Sequence, residues 1–380
     1  MSSVIEVNQL HRLNSYRDAW NARLAETPGA TFFQSLSWLE TYWRHFGENQ
    51  TLRVLVIRDA NEVQGFVPLV VRSDRKCIVG RCRKLTYPLA DWGSFYGPIG
   101  ANPSRLLDIA LSHIADSRKD WDLLDLGWAS PAEQDAVETR RRLMANSMPA
   151  ECQTQDETAV IDLDGTWDDY LTSRTSKWRN NFRRWQRRLA EHGPLRHIRY
   201  RPAGVSRDDG DPRWDLYTTC EKIAAESWQG SSTDGTTLSH ESVKPFLRDL
   251  HAVAASQGAV DLNLLYVGDT PIAFEYGYHY RGSVFGMRVG AAGPLAKLGA
   301  GNLLYAKIIE DNFARGDRLF DLGPGSLDIK RHLLTRVMPI CRYTYYRPSA
   351  IGAHLVRAKR RADDLRRSWS VAGKPSLAKR

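Results

Sequence analysis

GAAGPLAKLGAGNLLYAKII, residues 290–309, is the stretch that decides the fold. It places Gly299-Ala300-Gly301 between a predicted strand and a predicted helix, with Lys297 before them and Asn302 after them. Glycines at such a junction let the backbone approach a ligand closely, and the N–H groups of the first helical turn then face that ligand. The junction is therefore predicted to bind an anion such as a pyrophosphate. The alternative is an ordinary helix start built from small residues.

The segments before this junction indicate an antiparallel meander. LNLLYVG and PIAFEYGYHY flank a turn at 268–270, and SVFGMRVG follows a second turn at 281–282. A P-loop would need GxxxxGK[ST], which is absent from the sequence, and a dinucleotide-binding fold would need GxGxxG after the first strand of a βαβ unit. Neither of these nucleotide-binding motifs therefore accounts for the junction.

The same plan occurs earlier in the chain. RLLDIALSHIADSRKDWDLLDLGWAS (105–130) aligns with NLLYAKIIEDNFARGDRLFDLGPGS (302–326) with one residue of slip, so that Asp125-Leu126-Gly127 matches Asp321-Leu322-Gly323. Two predicted strands precede each copy. Two copies are too few for a solenoid, so we predict tandem α/β units, each a mostly antiparallel central sheet flanked by helices. Chance similarity between two helix–strand units is the alternative.

The predicted limits are 1–150 for the first unit, 151–348 for the second and 349–380 for a basic C-terminal segment. The boundary is placed in the polar stretch MPAECQTQDET (148–158), which lacks periodicity. The C-terminal segment has one apolar helical face and one basic face. It is predicted either to dock on the body of the protein or to contact an anionic membrane surface or RNA. Its apolar face comprises Leu355, Ala358, Ala362, Leu365 and Trp369.

Composition limits the classes of protein and partner. The chain has 380 residues and a net charge of +9, which favours nucleic acid, a phosphorylated cofactor or an acidic membrane as partner. The five cysteines are scattered without zinc-site spacing, so no metal is expected and free thiols are predicted. Because there is no signal-peptide pattern and no run of 18 apolar residues, a cytoplasmic protein is predicted.

On these motifs the chain resembles GNAT acyltransferases, in which a meander leads to GxGxxL at a helix start and then to a strand. It is more closely similar to the bacterial cellulose-biosynthesis acetyltransferase-like (CelD-type) proteins, which are related to Fem-type aminoacyltransferases. FFQSLSWLETYW (32–43), WRNNFRRWQRRL (178–189) and LFDLGPGSLDIKRHL (319–333) carry that similarity. The resemblance implies acetyl-CoA, or another acyl-CoA, as cosubstrate. Ala296 and Ala300 depart from the usual loop pattern of these families, so phosphate binding would depend more on backbone N–H groups.

The resemblance also implies the residues of the site. Acyl transfer needs a backbone N–H that polarises the thioester carbonyl, expected on the strand 284–290, and a base for the acceptor. His279 is an alternative base, although a structural role suits it better. The candidate catalytic residues are Glu275, Asp321 and Lys330. The candidate cofactor-binding residues are Val289, Lys297, Gly299, Ala300, Gly301 and Asn302.

The first half lacks the corresponding loop. Gly97 and Gly100 are spaced wrongly for GxG, and Pro98 and Pro103 remove N–H donors, so this half is predicted not to bind the cofactor. It is instead predicted to shape a cleft for a sugar or peptide acceptor, unless the same residues form an ordinary buried loop. The residues assigned to that cleft are Tyr87, Asp91, Trp92 and Tyr96.

The stretch KWRNNFRRWQRRL (177–189) combines tryptophans with a run of arginines. Trp178, Phe182, Trp185 and Leu189 are spaced 4, 3 and 4, which predicts an amphipathic helix with a buried aromatic stripe. Stacking on nucleic acid would need those rings exposed, so nucleic acid is not expected as a partner. Most of the arginines are predicted to face solvent, and one or two to reach an anionic ligand.

The leading hypothesis is an acyl-CoA-dependent acyltransferase of the N- or O-acetyltransferase type. Its acceptor would be an amine or hydroxyl of a small molecule, a sugar or a polysaccharide-related glycan. A Fem-like enzyme that uses aminoacyl-tRNA is one alternative, although the sequence lacks the long two-helix insertion typical of Fem proteins. A non-catalytic accessory protein of polysaccharide biosynthesis is the other.

Overall fold

The computed structural model describes residues 2–74, 82–89, 92–117, 119–129, 133–232 and 235–372. The strands are β1 (Ser2–Val7), β2 (Gln50–Asp59), β3 (Glu62–Asp74), β4 (Cys82–Thr86), β5 (Leu123–Ala129), β6 (Glu151–Asp162), β7 (Leu195–Tyr200), β8 (Val260–Val267), β9 (Thr270–Tyr280), β10 (Ser283–Ala291), β11 (Leu319–Pro324) and β12 (Arg336–Tyr346). The helices are α1 (Arg17–Glu26), α2 (Leu36–Phe46), α3 (Pro103–Asp116), α4 (Glu133–Ala145), α5 (Trp167–Ser173), α6 (Ser176–Ala190), α7 (Trp214–Glu226), α8 (Lys244–Ser256), α9 (Ala300–Arg315), α10 (Leu327–Lys330) and α11 (Ile351–Ala372).

All of these strands belong to one sheet, in the order β1-β2-β3-β4-β5-β12-β6-β11-β10-β9-β8-β7. Its pairs are antiparallel except β4–β5 and β10–β11, which are parallel. The two halves interlock, because β12 from the end of the chain pairs with β5 while β6 pairs with β11. The predicted fold class is confirmed: a mixed α/β protein with a large, mostly antiparallel sheet flanked by helices.

The sheet has register shifts at matching positions in the two halves of the chain. β5 and β11 each carry a register shift that overlaps the matched Asp-Leu-Gly motif, at 126–129 and 321–324. In each half the parallel pairing is short, so the strands part beyond it. Two clefts lie where they part, and we call them the β4–β5 cleft and the β10–β11 cleft.

The polar stretch 148–158 is not the irregular connection that its composition predicts. Residues 151–162 form β6, which lies between β12 and β11 in the middle of the sheet. Its first half alternates exposed and half-buried polar residues, and only Thr158–Ile161 are buried. The apolar periodicity that identifies a strand is therefore missing over most of its length. The domain limits of 150 and 348 stay predictions.

Helix α6 packs as its spacing predicts. Trp178 and Leu189 are buried, and Trp178 stacks on Phe182 with 5.8 Å between ring centroids. Thr175 caps the helix by accepting a hydrogen bond from the Trp178 N–H, at 3.2 Å. The opposite face is exposed and carries Arg183, Arg184, Arg187 and Arg188.

Helix α11 docks by a face other than its apolar one. Ala353 is buried, Arg357 and Arg360 reach back to Glu151 and Asp125, and Leu365 is 61 % exposed. The predicted apolar face is therefore not the docking face, because buried Asp125 and half-buried Glu151 of distant strands hold the helix instead. The side chain of Trp369, and residues 373–380, lie outside the described part of the chain.

Candidate active site

The β10–β11 cleft has a volume of about 510 Å³. Its walls come from β9 and β10 on one side and from the end of β11, the following turn and α10 on the other. Of the predicted catalytic residues, Glu275 and Lys330 line it, together with Val289 from the predicted cofactor set. The remaining lining residues are Trp228, Thr236, Gly286, Met287, Arg288, Tyr305, Leu322, Gly323, Pro324, Gly325, Ser326 and Ile329.

The glycine junction precedes α9 as predicted. Gly299 has φ +99°, a left-handed conformation that glycine adopts without strain, and a Cβ there would overlap the Trp185 indole. The first hydrogen bond across the start of the helix runs from the Leu303 N–H to the Gly299 carbonyl, at 3.0 Å. The N–H groups of residues 300–302 precede that bond and therefore belong to the open first turn, which attracts anions. Lys297 is exposed beside them.

A smaller cleft of about 260 Å³ adjoins this junction. Asn302 lines it from α9, while Lys177, Asn181 and Trp185 line it from α6. Ile329 lines both this cleft and the β10–β11 cleft, so the two are neighbours. An elongated ligand with an anionic centre could therefore extend from the β10–β11 cleft past the glycine junction to α6.

Strand β10 bulges at the mouth of the main cleft. Gly286 pairs with Gly277 and Arg288 with Tyr276, so Met287 is an extra residue without a partner in β9. A bulged residue leaves the hydrogen-bond ladder, which frees its N–H to face a ligand. Beyond the bulge, the Val289 carbonyl accepts a hydrogen bond from Gln229 Nε2 at 3.1 Å, which fixes the strand. Met287 is therefore the residue of the 284–290 strand that best suits the expected backbone donor, and that role stays a prediction.

Glu275 is buried, with 1 % of its surface exposed. Its Oε2 accepts a hydrogen bond from Asn263 Nδ2 at 2.9 Å, whereas its Oε1 has no partner within the described protein. Burial, together with the nearby charge of Asp261, raises the pKa of Glu275 well above its usual range. This shift favours the protonated carboxyl group, which can donate a hydrogen bond.

The pKa of Lys330 is lowered, whereas that of Glu275 is raised. Burial, with a smaller contribution from the charge of Arg288, lowers the pKa of Lys330 to about 8 against the opposing charge of Asp321. Its Nζ donates to the Gly323 carbonyl at 2.8 Å and to the Pro324 carbonyl at 3.0 Å. A neutral amine keeps two N–H donors for these carbonyls and has a lone pair left over. Lys330 is thus the best placed proton acceptor among the predicted residues.

Asp321 lies behind the cleft and does not line it. Its carboxylate accepts hydrogen bonds from the Thr158 hydroxyl and from the Gly323 N–H, the latter at 2.9 Å. Burial raises its pKa against these hydrogen bonds. This arrangement holds β6 against the turn whose carbonyls receive Lys330. A positioning role therefore suits Asp321 better than direct catalysis.

The lining residues that were not predicted from the sequence include Trp228, Met287, Arg288 and Tyr305. Tyr305 lies four residues after Gly301 on α9, a helical spacing that could have indicated it. Burial raises the pKa of Tyr305, so its hydroxyl stays protonated and can donate a hydrogen bond. Arg288 carried no sequence signal, because its place beside Lys330 depends on the bulge.

No group of three or more His, Cys, Asp or Glu side chains could hold a metal ion in the described ranges. None of the helices in those ranges is both long and apolar enough to cross a membrane. The assignment to the cytoplasm stays a prediction.

Residues 176–331 match the family model described as "Acetyltransferase (GNAT) domain". No curated protein matches the sequence. Among solved structures, FemX aligns with a TM-score of 0.61 at 11 % identity, over 91 % of this chain and 97 % of that one. A conserved protein of unknown function from Bacteroides thetaiotaomicron aligns with a TM-score of 0.52 at 13 % identity, over 91 % and 99 %. A tandem GNAT protein of the clavulanic acid biosynthesis pathway aligns with a TM-score of 0.45 at 11 % identity, over 92 % and 100 %.

The matched residues 176–331 hold the β10–β11 cleft, so this part of the chain is similar to a GNAT acetyltransferase domain, and the first half of the chain extends the same sheet. At these identities the structural matches show the fold alone. The alignment with FemX leaves only 3 % of that chain uncovered. The lack of a long two-helix insertion therefore does not separate this chain from FemX. Membership of the CelD-type group stays a prediction.

Proposed function

We propose that this protein transfers an acyl group, with acetyl as the expected case, from acyl-CoA to an amine or hydroxyl acceptor in the β10–β11 cleft. The observation that carries the proposal is the bulge at Met287 in a cleft that also holds a lysine with a lowered pKa. The open first turn of α9 near that cleft suits a pyrophosphate. Bound acyl-CoA would supply the activated thioester.

The residues of the chain then have separate tasks. The Met287 N–H would bind the carbonyl oxygen on which negative charge develops, a contribution that preorganised donors make in many acyl transfers. Neutral Lys330 would accept the proton of the acceptor nucleophile. Protonated Glu275 and Tyr305 are donors on the walls of the same cleft. The glycine junction, with Lys297 and Asn302, would hold the phosphates.

Two measurements test this function. Titration calorimetry with acetyl-CoA should show saturable binding, and desulfo-CoA should compete for the same site. A mass-spectrometric screen of amines, amino sugars and glycans incubated with labelled acetyl-CoA should then yield an acetylated product. Absence of binding by acetyl-CoA and by longer acyl-CoA homologues would refute the proposal.

A second candidate is transfer from an aminoacyl-tRNA. It is favoured by the exposed face of α6, where four arginines have no ion pair within the described residues and the same helix lines the cleft beside the glycine junction. Filter binding of charged tRNA should then weaken steeply with salt, because each phosphate contact releases counterions. Replacing Arg183, Arg184, Arg187 and Arg188 with Gln should flatten that salt dependence. Tight acetyl-CoA binding with no tRNA binding would exclude this candidate.

Peripheral membrane contact is proposed from α11, whose exposed apolar residues lie among basic ones. Leu355 and Leu365 are exposed, and Lys359, Arg361 and Arg366 are exposed on the same helix. Such a helix binds anionic lipid surfaces through apolar insertion and charge. Cosedimentation with phosphatidylglycerol vesicles should fall when Leu355 and Leu365 are replaced by Ser. Equal binding of both proteins would contradict this contact.

A further inference from the structure

The β4–β5 cleft has a volume of about 330 Å³ and a largely polar lining. It lies where β4 leaves β5, which is the place that the β10–β11 cleft takes in the other half. Its charged lining residues, within the described ranges, are Arg72, Arg342 and Asp125. The uncharged lining residues are Tyr42, Phe46, Gln50, Thr86, Tyr87, Leu89, Trp92, Gly127, Trp128, Gln155, Gly235, Ser242 and Val243.

Asp125, the one carboxylate that lines this cleft within the described ranges, is already neutralised. Asp125 is buried and forms an ion pair with Arg360 at 2.8 Å, and Arg342 Nε approaches it to 3.4 Å. The Thr344 hydroxyl donates to its Oδ1 at 3.0 Å. Because Arg360 holds one oxygen from outside the cleft, the two arginines of the lining leave an excess of positive charge.

Arg72 and Arg342 stand on strands that flank the opening. Arg72 is half-buried and forms no ion pair with any described residue, and its charge lies next to the Tyr42 hydroxyl. Arg342 keeps only 30 % of its side chain exposed, and its Nε has no hydrogen-bond partner in the described protein. Arg72 hydrogen-bonds to the Tyr42 hydroxyl, and the half-buried Nε of Arg342 has no hydrogen bond, so a bound anion would add charge-assisted hydrogen bonds to this pair of arginines.

A third polar group of the lining lacks a hydrogen-bond partner within the described residues. The buried Oε1 of Gln155 has no hydrogen-bond partner among the described residues and lies near Gly127. An amide oxygen is an acceptor, so it suits a ligand hydroxyl or amine. The aromatic rings of Tyr87, Trp92 and Trp128 complete the lining with flat apolar faces. Oxyanion, hydroxyl and apolar groups occur together in a phosphorylated or carboxylated sugar.

Trp92 joins this cleft to the β10–β11 cleft. The Trp92 ring lines the β4–β5 cleft. The guanidinium of Arg288, which lines the β10–β11 cleft, stacks over this ring, with 4.2 Å between its central carbon and the ring centroid. The Trp92 Nε1–H donates to the Gly235 carbonyl at 3.3 Å, and the neighbouring Thr236 lines the β10–β11 cleft. One indole and one short backbone segment therefore separate the two clefts.

We propose that the β4–β5 cleft binds the oxyanion of a sugar-sized acceptor, with Arg72 and Arg342 as its ligands and Gln155 as acceptor of a sugar hydroxyl. The role as acceptor site rests on the acyltransferase function proposed above; binding of the anion does not. The acceptor's nucleophile would reach the β10–β11 cleft past Trp92. Acyl-CoA and acceptor would thus enter from different halves of the sheet.

Ligand-observed NMR with glucose 1-phosphate, glucuronate and uncharged glucose tests the site. We expect the phosphate or the carboxylate probe to bind and glucose to bind at least tenfold more weakly; which anion binds better identifies the source of the oxyanion. Arg72→Gln and Arg342→Gln should each weaken that binding about tenfold, and Gln155→Leu should weaken it less. Acetyl-CoA binding should be unchanged in all three.

Three results would overturn the proposal: no binding of either anionic probe, unchanged binding in the Arg72→Gln/Arg342→Gln double variant, or loss of probe binding in Gly301→Glu. If Arg342→Gln fails to fold, probe binding by Arg72→Gln and by Tyr42→Phe tests the site instead, because neither substitution removes a described ion pair. Arginine-dependent probe binding without acetyl-CoA binding would leave this site standing and refute the acyltransferase function instead.

Discussion

The two clefts are built on one plan and differ in charge. Both follow an Asp-Leu-Gly motif, yet Asp125 is held by Arg342 and Arg360 while Asp321 is held by a hydroxyl and a backbone N–H. Burial raises the pKa of both aspartates; the arginines reverse the shift for Asp125, and the net pKa of Asp321 stays raised. The same motif therefore supports a positively charged cleft in the first half and a cleft with a neutral acid and a weakly basic lysine in the second.

The helices that follow β3–β4 and β9–β10 also differ, in how their first turns begin. α9 begins after a left-handed glycine, whereas α3 begins at Pro103 with the Asn102 side chain as its cap, which accepts from the Arg105 N–H at 3.0 Å. Asn102 and Pro103 satisfy or remove the donors that an anion would need. This contrast explains why only the second half is expected to bind the phosphates of acyl-CoA.

The largest expected effect is on acetyl-CoA binding, when a carboxylate is placed in the first turn of α9. Gly301 and Ser104 are both the second residue of their helix, and a Cβ at Gly301 meets open space. Gly301→Glu should therefore fold normally and weaken acetyl-CoA binding at least ~100-fold, because it places a carboxylate where the phosphates would lie. Ser104→Glu should leave binding within about twofold, and Gly301→Ala should weaken it little. Equal losses for the two glutamate variants, measured by calorimetry, would erase the distinction between the halves.

A second prediction uses the pH dependence of stability. The folded-state pKa of Glu275 is raised, so its contribution is complete at acid pH and is lost as pH rises. Glu275→Gln should thus stabilise the protein relative to wild type by about 1–2 kcal/mol near pH 8 and by little near pH 4. The pKa of Asp125 is lowered, so its contribution is complete above the unfolded-state pKa and is lost in acid.

Asp125→Asn should accordingly destabilise most near pH 7, by about 1–2 kcal/mol or more, and least in acid. Urea unfolding at several pH values measures both variants. The two stability differences should change in opposite directions with pH. Parallel changes would show that the two carboxyl groups do not differ as the structure indicates.

A third prediction concerns Lys330. Competitive labelling with acetic anhydride, read by mass spectrometry, should give Lys330 an apparent pKa of about 8. Arg288→Gln should raise that pKa, because it removes a nearby positive charge, and Asp321→Asn should lower it. Both shifts should be smaller than the one caused by burial. If neither substitution changed the pKa of Lys330, the charges of Arg288 and Asp321 would not act on this lysine as the structure indicates.

The smallest effect is expected on the exposed face of α6. Arg183→Gln with Arg184→Gln should change the free energy of unfolding by less than about 0.5 kcal/mol, because both side chains are exposed. Trp185→Ala should cost several times more, since its indole covers Gly299 and supports the glycine junction. Thermal unfolding compares the two. If the arginine pair costs as much as Trp185, the assignment of the two faces of α6 is wrong.

The sequence by itself determined the features that depend on local spacing. The glycine junction, the two matched Asp-Leu-Gly motifs and the aromatic stripe of α6 are all patterns within about 25 residues, and local periodicity or turn chemistry specifies each of them. The mixed sheet was predicted from these patterns, whereas a backbone donor on the strand 284–290 was expected only from the family resemblance. Two of the three candidate catalytic residues, Glu275 and Lys330, do line the resulting cleft.

Only the tertiary structure decided what depends on distant partners. β6 is a central strand despite its polar sequence, because β11 and β12 supply its hydrogen bonds from more than 150 residues away. The docking face of α11 was set by Asp125 and Glu151, and the protonation of Glu275 and Lys330 by burial. Burial and charge neighbours are properties of the assembled sheet, so the different chemistry of its two clefts could not be read from motifs that the halves share.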